Sequence, residues 1–196
     1  MGAIRALRRQ LGVVQRRRRS GDRGAVAVEA ALITPLIVLL LFGIIEFGLV
    51  FKNYLAVTSS TRAGVRIASA MPRDADFALR AAEAVVREGQ ALDRTRIAKI
   101  WVYDADKTSG LPDSGNFVSC TKCVSYTVSA SGTLTASGTW LAESHNACLN
   151  DDAHTYIGVY VQYDNPGVTG ILFSQITLSD RSVMSLEPMS SSGACK

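Results

Sequence analysis

Two glutamates lie in a stretch of the chain that is otherwise almost entirely apolar. The stretch runs from Ala25 to Phe51, and Glu29 and Glu46 are its only charged residues. Because an ionisable side chain inside a membrane is costly, each carboxylate is a candidate for function. Glu29 can reach the cytoplasmic interface and pair with an arginine, or it can pair with a positive charge on a neighbouring helix. Glu46 can reach the outer interface or contact a polar partner helix.

Four cysteines form the second set of candidates, and we expect them to form two disulfides. They are Cys120, Cys123, Cys148 and Cys195. All four lie on the C-terminal side of the apolar stretch. We expect that side to be in an oxidising environment, which favours disulfides. Four cysteines allow three pairings, which the sequence does not separate. Our guess joins the loop of Cys120 and Cys123 to Cys148, and the C-terminal tail to the remaining cysteine.

The same cysteines suggest two alternatives, a redox site and a zinc site. Cys120-x-x-Cys123 resembles a redox motif. However, the surrounding sequence lacks the strand-to-helix pattern in which a redox motif is expected. Cys120, Cys123, His145 and Cys148 have the chemistry of a structural zinc site. We favour disulfides and no metal. His145 and His154 are expected in a polar surface loop, and no catalytic constellation, cofactor motif or small-molecule site is evident.

The apolar stretch must position the two glutamates, and its length is that of a membrane span. At about 1.5 Å per residue, residues 25–51 form a helix of about 40 Å, which exceeds the roughly 30 Å hydrocarbon core. Arg16–Arg19 and Arg23 precede it, and basic residues remain in the cytoplasm. We therefore predict a single-pass protein of the cell membrane with a cytoplasmic N-terminus and an extracytoplasmic C-terminal domain.

The charge is divided unevenly along the chain. Residues 1–24 hold eight Arg and one Asp, a net charge of +7, whereas residues 25–196 hold 13 Lys or Arg and 16 Asp or Glu, a net charge of −3. The bulk of the chain is mildly acidic, so nucleic-acid binding is not predicted. The basic segment fits the orientation signal and contact with anionic lipid.

A cleaved export signal is a rival interpretation of the N-terminus. A secretory signal has a short apolar region followed at once by a small-x-small site. Here the apolar run is longer, and the A-x-A-like candidate, Ala68-Ser69-Ala70, lies well beyond it. A twin-arginine signal is disfavoured because Arg19 leads into Ser20-Gly21-Asp22 rather than into apolar residues.

The residues around Gly24 carry a family resemblance. Gly24-Ala25-Val26-Ala27-Val28-Glu29 resembles the processing site of type IV pilin-like proteins. With Thr34-Pro35 and Ile45-Glu46-Phe47-Gly48, residues 22–66 resemble the TadE-like family of minor pilin-like proteins in tight-adherence (Flp) pilus systems. The resemblance implies cleavage between Gly24 and Ala25 by a prepilin-type peptidase, and a role for Glu29 in assembly. It implies other pilin-like subunits and pilus assembly proteins as partners, besides membrane lipid.

Two helical patterns follow the span. Residues 52–70 contain no proline and continue as a helical stalk, which Pro72 ends by disfavouring helical geometry at Met71. A second helix is predicted over Asp74–Gln90. Its predicted buried face holds Phe77, Ala81, Ala84, Val85 and Leu92. Its charged residues Arg80, Glu83 and Arg87 are predicted on the solvated face.

From Arg96 onward apolar residues recur with a period of two, which is typical of half-buried strands. Alternation occurs over residues 100–103, 124–129 and 156–163, with further candidates at 172–178, where a helix or loop is also open, and 182–186. Residues 104–119 and 130–152 are predicted to be long loops, and Asn165-Pro166-Gly167 a turn. The predicted fold is α+β: a helical span and stalk, then a domain over residues 71–196 with a second helix and an antiparallel sheet of about four strands.

These observations predict a structural protein rather than an enzyme. The favoured function is a membrane-anchored minor pilin-like subunit, or pseudopilin, that helps to assemble a Flp-type pilus. The alternative is an unprocessed, membrane-anchored extracytoplasmic binding domain of a secretion or envelope system. Cleavage after Gly24 is expected for the pilin-like subunit and not for the alternative.

Overall fold

A long helix, α1 (Asp22–Ser69), begins the described part of the chain. The computed structural model describes residues 22–148, 154–170 and 172–189. The chain divides into two units, Met1–Glu46 and Phe47–Lys196, and α1 contributes to both. The arginines Arg16–Arg19 and the cysteine Cys195 lie outside the described residues.

Within the first unit, nearly every described side chain of α1 is exposed although most are apolar. In the described part of the chain, α1 is the one helix long and apolar enough to cross a membrane. The helix runs unbroken through Pro35, which has no N–H to donate. The Thr34 hydroxyl, beside it, donates to the Ala30 carbonyl at 2.6 Å. An apolar surface of this kind needs lipid or partner helices around it.

In the second unit, one face of α1 is buried. The buried residues Val57, Ser60, Thr61, Gly64, Val65 and Ala68 recur every three or four positions, the spacing of one helical face. The Ser60 and Thr61 hydroxyls both donate to the Val57 carbonyl, at 2.8 and 2.7 Å, so these buried groups are satisfied. The small residues let α1 approach the rest of the domain closely.

Helix α2 (Phe77–Glu88) packs on the same core. Phe77, Ala81, Ala84, Val85 and the following Leu92 are buried, as predicted. The helix begins three residues later than the predicted Asp74. Residues 74–76 instead form a turn in which the Asp74 carboxylate accepts from the Asp76 N–H at 2.8 Å. Arg80, Glu83 and Arg87 are exposed.

The second unit is completed by a five-stranded antiparallel sheet. The strands are β1 (Ile97–Asp104), β2 (Cys123–Val128), β3 (Leu134–Ser137), β4 (Tyr156–Pro166) and β5 (Gln175–Ser185). Their order is β3-β2-β1-β4-β5. Ile100, Val102, Val159 and Val161 point from the central strands into the core shared with α1 and α2. The α+β class predicted from the sequence is confirmed.

The two edge strands differ from the prediction. The expectation of a loop over residues 130–152 is wrong, because Leu134–Ser137 pairs with β2 as strand β3. Only Leu134 in that strand is even half-buried, so the apolar signal is weak. The two candidates at 172–178 and 182–186 are parts of one strand, β5. The polar run Ser179-Asp180-Arg181 interrupts the sequence pattern, and an edge strand can expose such residues.

A second, smaller cluster covers the outer face of the sheet. Tyr103 is fully buried, and Trp101, Phe117 and Tyr160 lie around it with ring centroids 4.5–5.4 Å apart. A Cβ at Gly158 would overlap the Tyr103 ring, so this glycine is required by the close approach. Phe117 comes from the loop between β1 and β2. The central strands are therefore covered on both faces there rather than half-buried.

Candidate assembly site on helix α1

The predicted processing site lies in the open. Gly24 and Ala25 are helical and exposed, and apart from the neighbouring helix backbone no atom of the described chain lies within 4 Å of where a Cβ on Gly24 would be. Arg23, one residue earlier, is exposed as well. No other described element therefore packs against Gly24.

Glu29 is exposed on the same stretch of helix. Within the described residues, its carboxylate has neither a hydrogen bond nor an ion pair, and it does not pair with Arg23. Val26, Val28, Leu32 and Ile33, which surround it along the helix, are between 45 and 75% exposed. A carboxylate on an apolar surface is costly unless it reaches water or meets a positive charge.

Glu46 has a different environment. Its side chain is 1% exposed, and it is not without a partner. A buried carboxylate is tolerated in a folded protein only when it is paired or hydrogen-bonded. Of the two glutamates predicted for assembly, Glu29 is therefore the one with a side chain open to another molecule, and a role for Glu46 in assembly stays a prediction.

The cysteines adopt a pairing that differs from our guess. Cys120 bonds to Cys123, and the two Cα atoms are 5.9 Å apart, so the guess that joined this loop to Cys148 is wrong. A separation of three residues already brings the Cα atoms within disulfide range, so no distant segment is needed. Cys148 is disulfide-bonded as well. Cys123 begins β2 rather than a helix, which is not the setting of a redox motif.

His145 is buried, so the expectation that it lies in a polar surface loop is wrong. Its ring lies 4.5 Å from both Phe77 and Trp140, and Nδ1 is 2.8 Å from the Pro72 carbonyl oxygen. The loop carrying it folds inward because Trp140 packs edge-on against Phe77. His154 is half-buried. Among the described residues, no three His, Cys, Asp or Glu side chains are grouped as a metal site would require.

A further electrostatic feature joins the two ends of the β1–β2 loop. Lys122 Nζ is 2.7 Å from the Asp104 carboxylate and 3.5 Å from that of Asp113. Burial raises the pKa of Asp104, although Lys122 opposes this, and the Asp104 hydrogen bond raises the pKa of Lys122. The group is a structural clamp on the loop that carries Phe117 and the disulfide.

The segment that holds the glutamates is also where a known family matches. A model of the TadE-like protein family matches residues 24–66. The chain carries a TadE-like segment. The resemblance predicted from the sequence is thus confirmed, and the matched residues include Gly24, Ala25, Glu29 and Glu46. The match covers under a quarter of the 196 residues. No curated protein and no solved structure matches the chain.

The TadE-like segment relates the chain to membrane proteins of the tight-adherence (Tad) pilus. The family is a structural one associated with pili and is not known for enzymes. Its association is with the pilus assembly machinery in general. The single apolar helix agrees with a membrane anchor at the N-terminus.

The aromatic cluster on the outer face of the sheet was not predicted from the sequence. One signal for it was present, because Trp101 and Tyr103 are two residues apart on a strand and so share a face. Phe117 could not be assigned to that face, since nothing in an irregular loop of Gly, Ser and Asp shows which way it folds. The contact of the Asn53 side chain with Asn165 of β4 was also missed, because the sequence does not show where β4 packs along α1.

Proposed function

We propose that this protein is a minor pilin-like subunit, anchored by α1, that helps to assemble a Flp-type pilus after cleavage between Gly24 and Ala25. The observation that carries the proposal is Glu29: an exposed carboxylate without a partner in the described chain, on an apolar helix, five residues after an open glycine. In this proposal residues 1–24 are a cytoplasmic leader and the cutting enzyme is a prepilin-type peptidase.

Cleavage would create a positive charge that can pair with Glu29. A cut after Gly24 leaves Ala25 with a free ammonium group at the start of an apolar helix. Either charge alone is costly in lipid, and pairing the two offsets much of that cost. If the ammonium of one subunit meets Glu29 of the next, the pair also fixes how far one helix is shifted along the other.

The ammonium can also pair within its own chain. Ala25 and Glu29 are four residues apart, about one helical turn, and so lie on nearly the same face. A test of the proposal must therefore measure association between subunits, because the presence of the Ala25 ammonium alone does not separate pairing between chains from pairing within one chain.

The mature N-terminus is the first experiment. Intact-mass measurement of the protein from its native membrane should show a chain that begins at Ala25. Gly24→Leu should block the cut, because a peptidase site adapted to glycine has no room for a larger side chain. Gly48→Leu, also at an open glycine on α1, is the matched control and should be processed normally. A mature protein that keeps Arg16–Arg19 while the peptidase is active would refute the proposal.

An unprocessed, membrane-anchored binding domain is the second candidate. It is favoured by a groove of about 370 Å³ on the outer face of the sheet, lined by Lys99, Trp101, Phe117 and Ser125 among others. Aromatic and polar side chains together are common in ligand sites. In this case the mature chain would retain its leader, and the mass measurement above separates the two functions.

A further inference from the structure

The connection between β4 and β5 is uncharged and exposes apolar side chains. No charged residue occurs between Asp164 and Asp180. Val168 is 63% exposed, Leu172 41% and Ile176 40%. An apolar surface of several neighbouring side chains on an otherwise polar domain marks a place where the protein meets another apolar phase. We call residues 167–174, without the undescribed Ile171, the β4–β5 loop.

Two contacts hold this connection against α1. At its base, Asn53 Nδ2 donates to Asn165 Oδ1 at 2.6 Å. Further along, the Phe47 and Phe173 rings lie 6.4 Å apart at an interplanar angle of 58°, within the range of favourable aromatic pairs. Both helix residues belong to the second unit. The loop therefore follows α1 from Asn53 back toward Phe47.

The depth of the loop follows from these contacts. Phe47 lies within the predicted span and five residues before Lys52, the first charge after it. Five residues correspond to about 7–8 Å along a helix. The Phe173 ring contacts the Phe47 ring, and the depth of Phe47 is about that to which interfacial segments bury their apolar side chains.

The helix beside the loop has the side chains of a membrane interface. Phe51 is 63% exposed and Tyr54 is 41% exposed, one before and one after Lys52. Aromatic residues are enriched at this level of membrane proteins, where an apolar ring and a polar edge both find partners. Within the second unit, the β4–β5 loop therefore contacts the end of the apolar stretch through Phe47, beside exposed aromatic side chains of α1.

We infer that the β4–β5 loop dips into the outer leaflet of the membrane and that Val168, Leu172 and Phe173 contact lipid acyl chains. Lipid is favoured over a protein partner because the loop contacts Phe47 of the apolar stretch and offers no charge for a specific partner to pair with. The inference depends on α1 spanning a membrane and not on the pilin role.

Quenching by brominated lipid tests the inference directly. The full-length protein carrying Leu172→Trp is reconstituted into phosphatidylcholine vesicles brominated at carbons 6 and 7 of one acyl chain. Thr135→Trp, on the exposed edge strand β3, is the matched control. The native Trp101 and Trp140 contribute equally to both variants. The fluorescence added by the Leu172→Trp substitution should be quenched at least twofold more than the fluorescence added by Thr135→Trp.

A control, a second probe and two contrary outcomes complete the test. Flotation with the vesicles checks the span independently of the loop. Val168→Trp serves as a second probe if Leu172→Trp does not fold, and it should show the same quenching. Equal quenching of loop and control probes would overturn the inference. So would a loop probe that is shielded from bromine and shifts to the blue only as the protein-to-lipid ratio rises, because a second copy of the chain would then cover the loop.

Discussion

The two units of this chain bury their side chains in opposite ways. In the first, residues such as Leu32, Leu36 and Ile44 are 61–75% exposed, and the helix supplies no core of its own. In the second, the face of α1 from Val57 to Ala68 is buried, as are the central strands. The first unit therefore depends on what surrounds it, whereas the second is held by its own packing. A substitution at an exposed side chain of the first should change association, and one at a buried side chain should change stability.

The largest expected effect is on association, through Glu29 of α1. Glu29→Gln should reduce co-purification with other pilus components about tenfold or more, because removing one partner of a pair buried in lipid leaves the other charge uncompensated. Membrane insertion and the melting temperature should not change. Piliation counts at equal expression provide the second measurement.

Glu46→Gln is the matched change at the other glutamate. Because Glu46 is already buried and partnered, its loss should lower stability rather than association. Normal assembly of the Glu29→Gln variant, or equal loss of assembly in both, would remove the distinction between the two side chains.

Two glycines of α1 test the packing side of the comparison. A Cβ at Gly64 would lie 2.6 Å from Val85 Cγ2 and 3.2 Å from the Ala81 carbonyl oxygen, whereas one at Gly48 meets nothing within 4 Å. Gly64→Ala should lower the free energy of unfolding by about 1–3 kcal/mol through overpacking. Gly48→Ala should leave it unchanged or slightly raised, since alanine favours a helix. Urea unfolding of the full chain in detergent, followed by fluorescence of the buried Trp140, measures both.

Packing explains which parts of the fold the sequence could predict. The span was predictable because a basic segment is followed by a long apolar one, and β1, β2 and β4 because apolar residues alternate along their sequences. Strand β3 was not predicted and β5 was predicted only as two separate candidates, since few side chains of these edge strands are buried. His145 was misplaced because its burial depends on Trp140 and Phe77, which meet it only in the folded domain. Of the candidate site, the sequence supplied the residues, and the structure added that Glu29 is open and Glu46 is not.

The disulfide should have a moderate effect confined to the second unit. Replacing Cys120 and Cys123 together by serine should lower the free energy of unfolding by about 1–2 kcal/mol, because the closed loop is short and little chain entropy is removed. Peptide mapping without reduction should recover the two residues in one cross-linked peptide. A peptide joining either of them to Cys148 would contradict the pairing seen here.

The smallest effect concerns the ring at the centre of the outer-face cluster. Burial raises the pKa of Tyr103 to about 12, and its hydroxyl donates to the Gly110 carbonyl at 2.8 Å. Because the folded state resists ionisation, this contribution to stability is complete below about pH 10 and is lost as the pH rises toward 12. Between pH 9 and pH 11, the wild type should lose about 1 kcal/mol more stability than Tyr103→Phe. Parallel loss in the two proteins would show that the phenol is not the group that titrates.

The way α1 enters the second unit has a mechanical consequence. The helix lies along the core from Val57 to Ala68, and its last carbonyl region is held by the chain that follows β5, where the Glu187 N–H donates to the Ser69 carbonyl at 2.9 Å. A pull along the helix axis therefore loads the whole packed face in shear, so that many contacts must give way together. Tension applied at the N-terminal end of this buried face would reach the sheet as a distributed load, and the domain would resist unfolding by such a pull better than one attached by a loop.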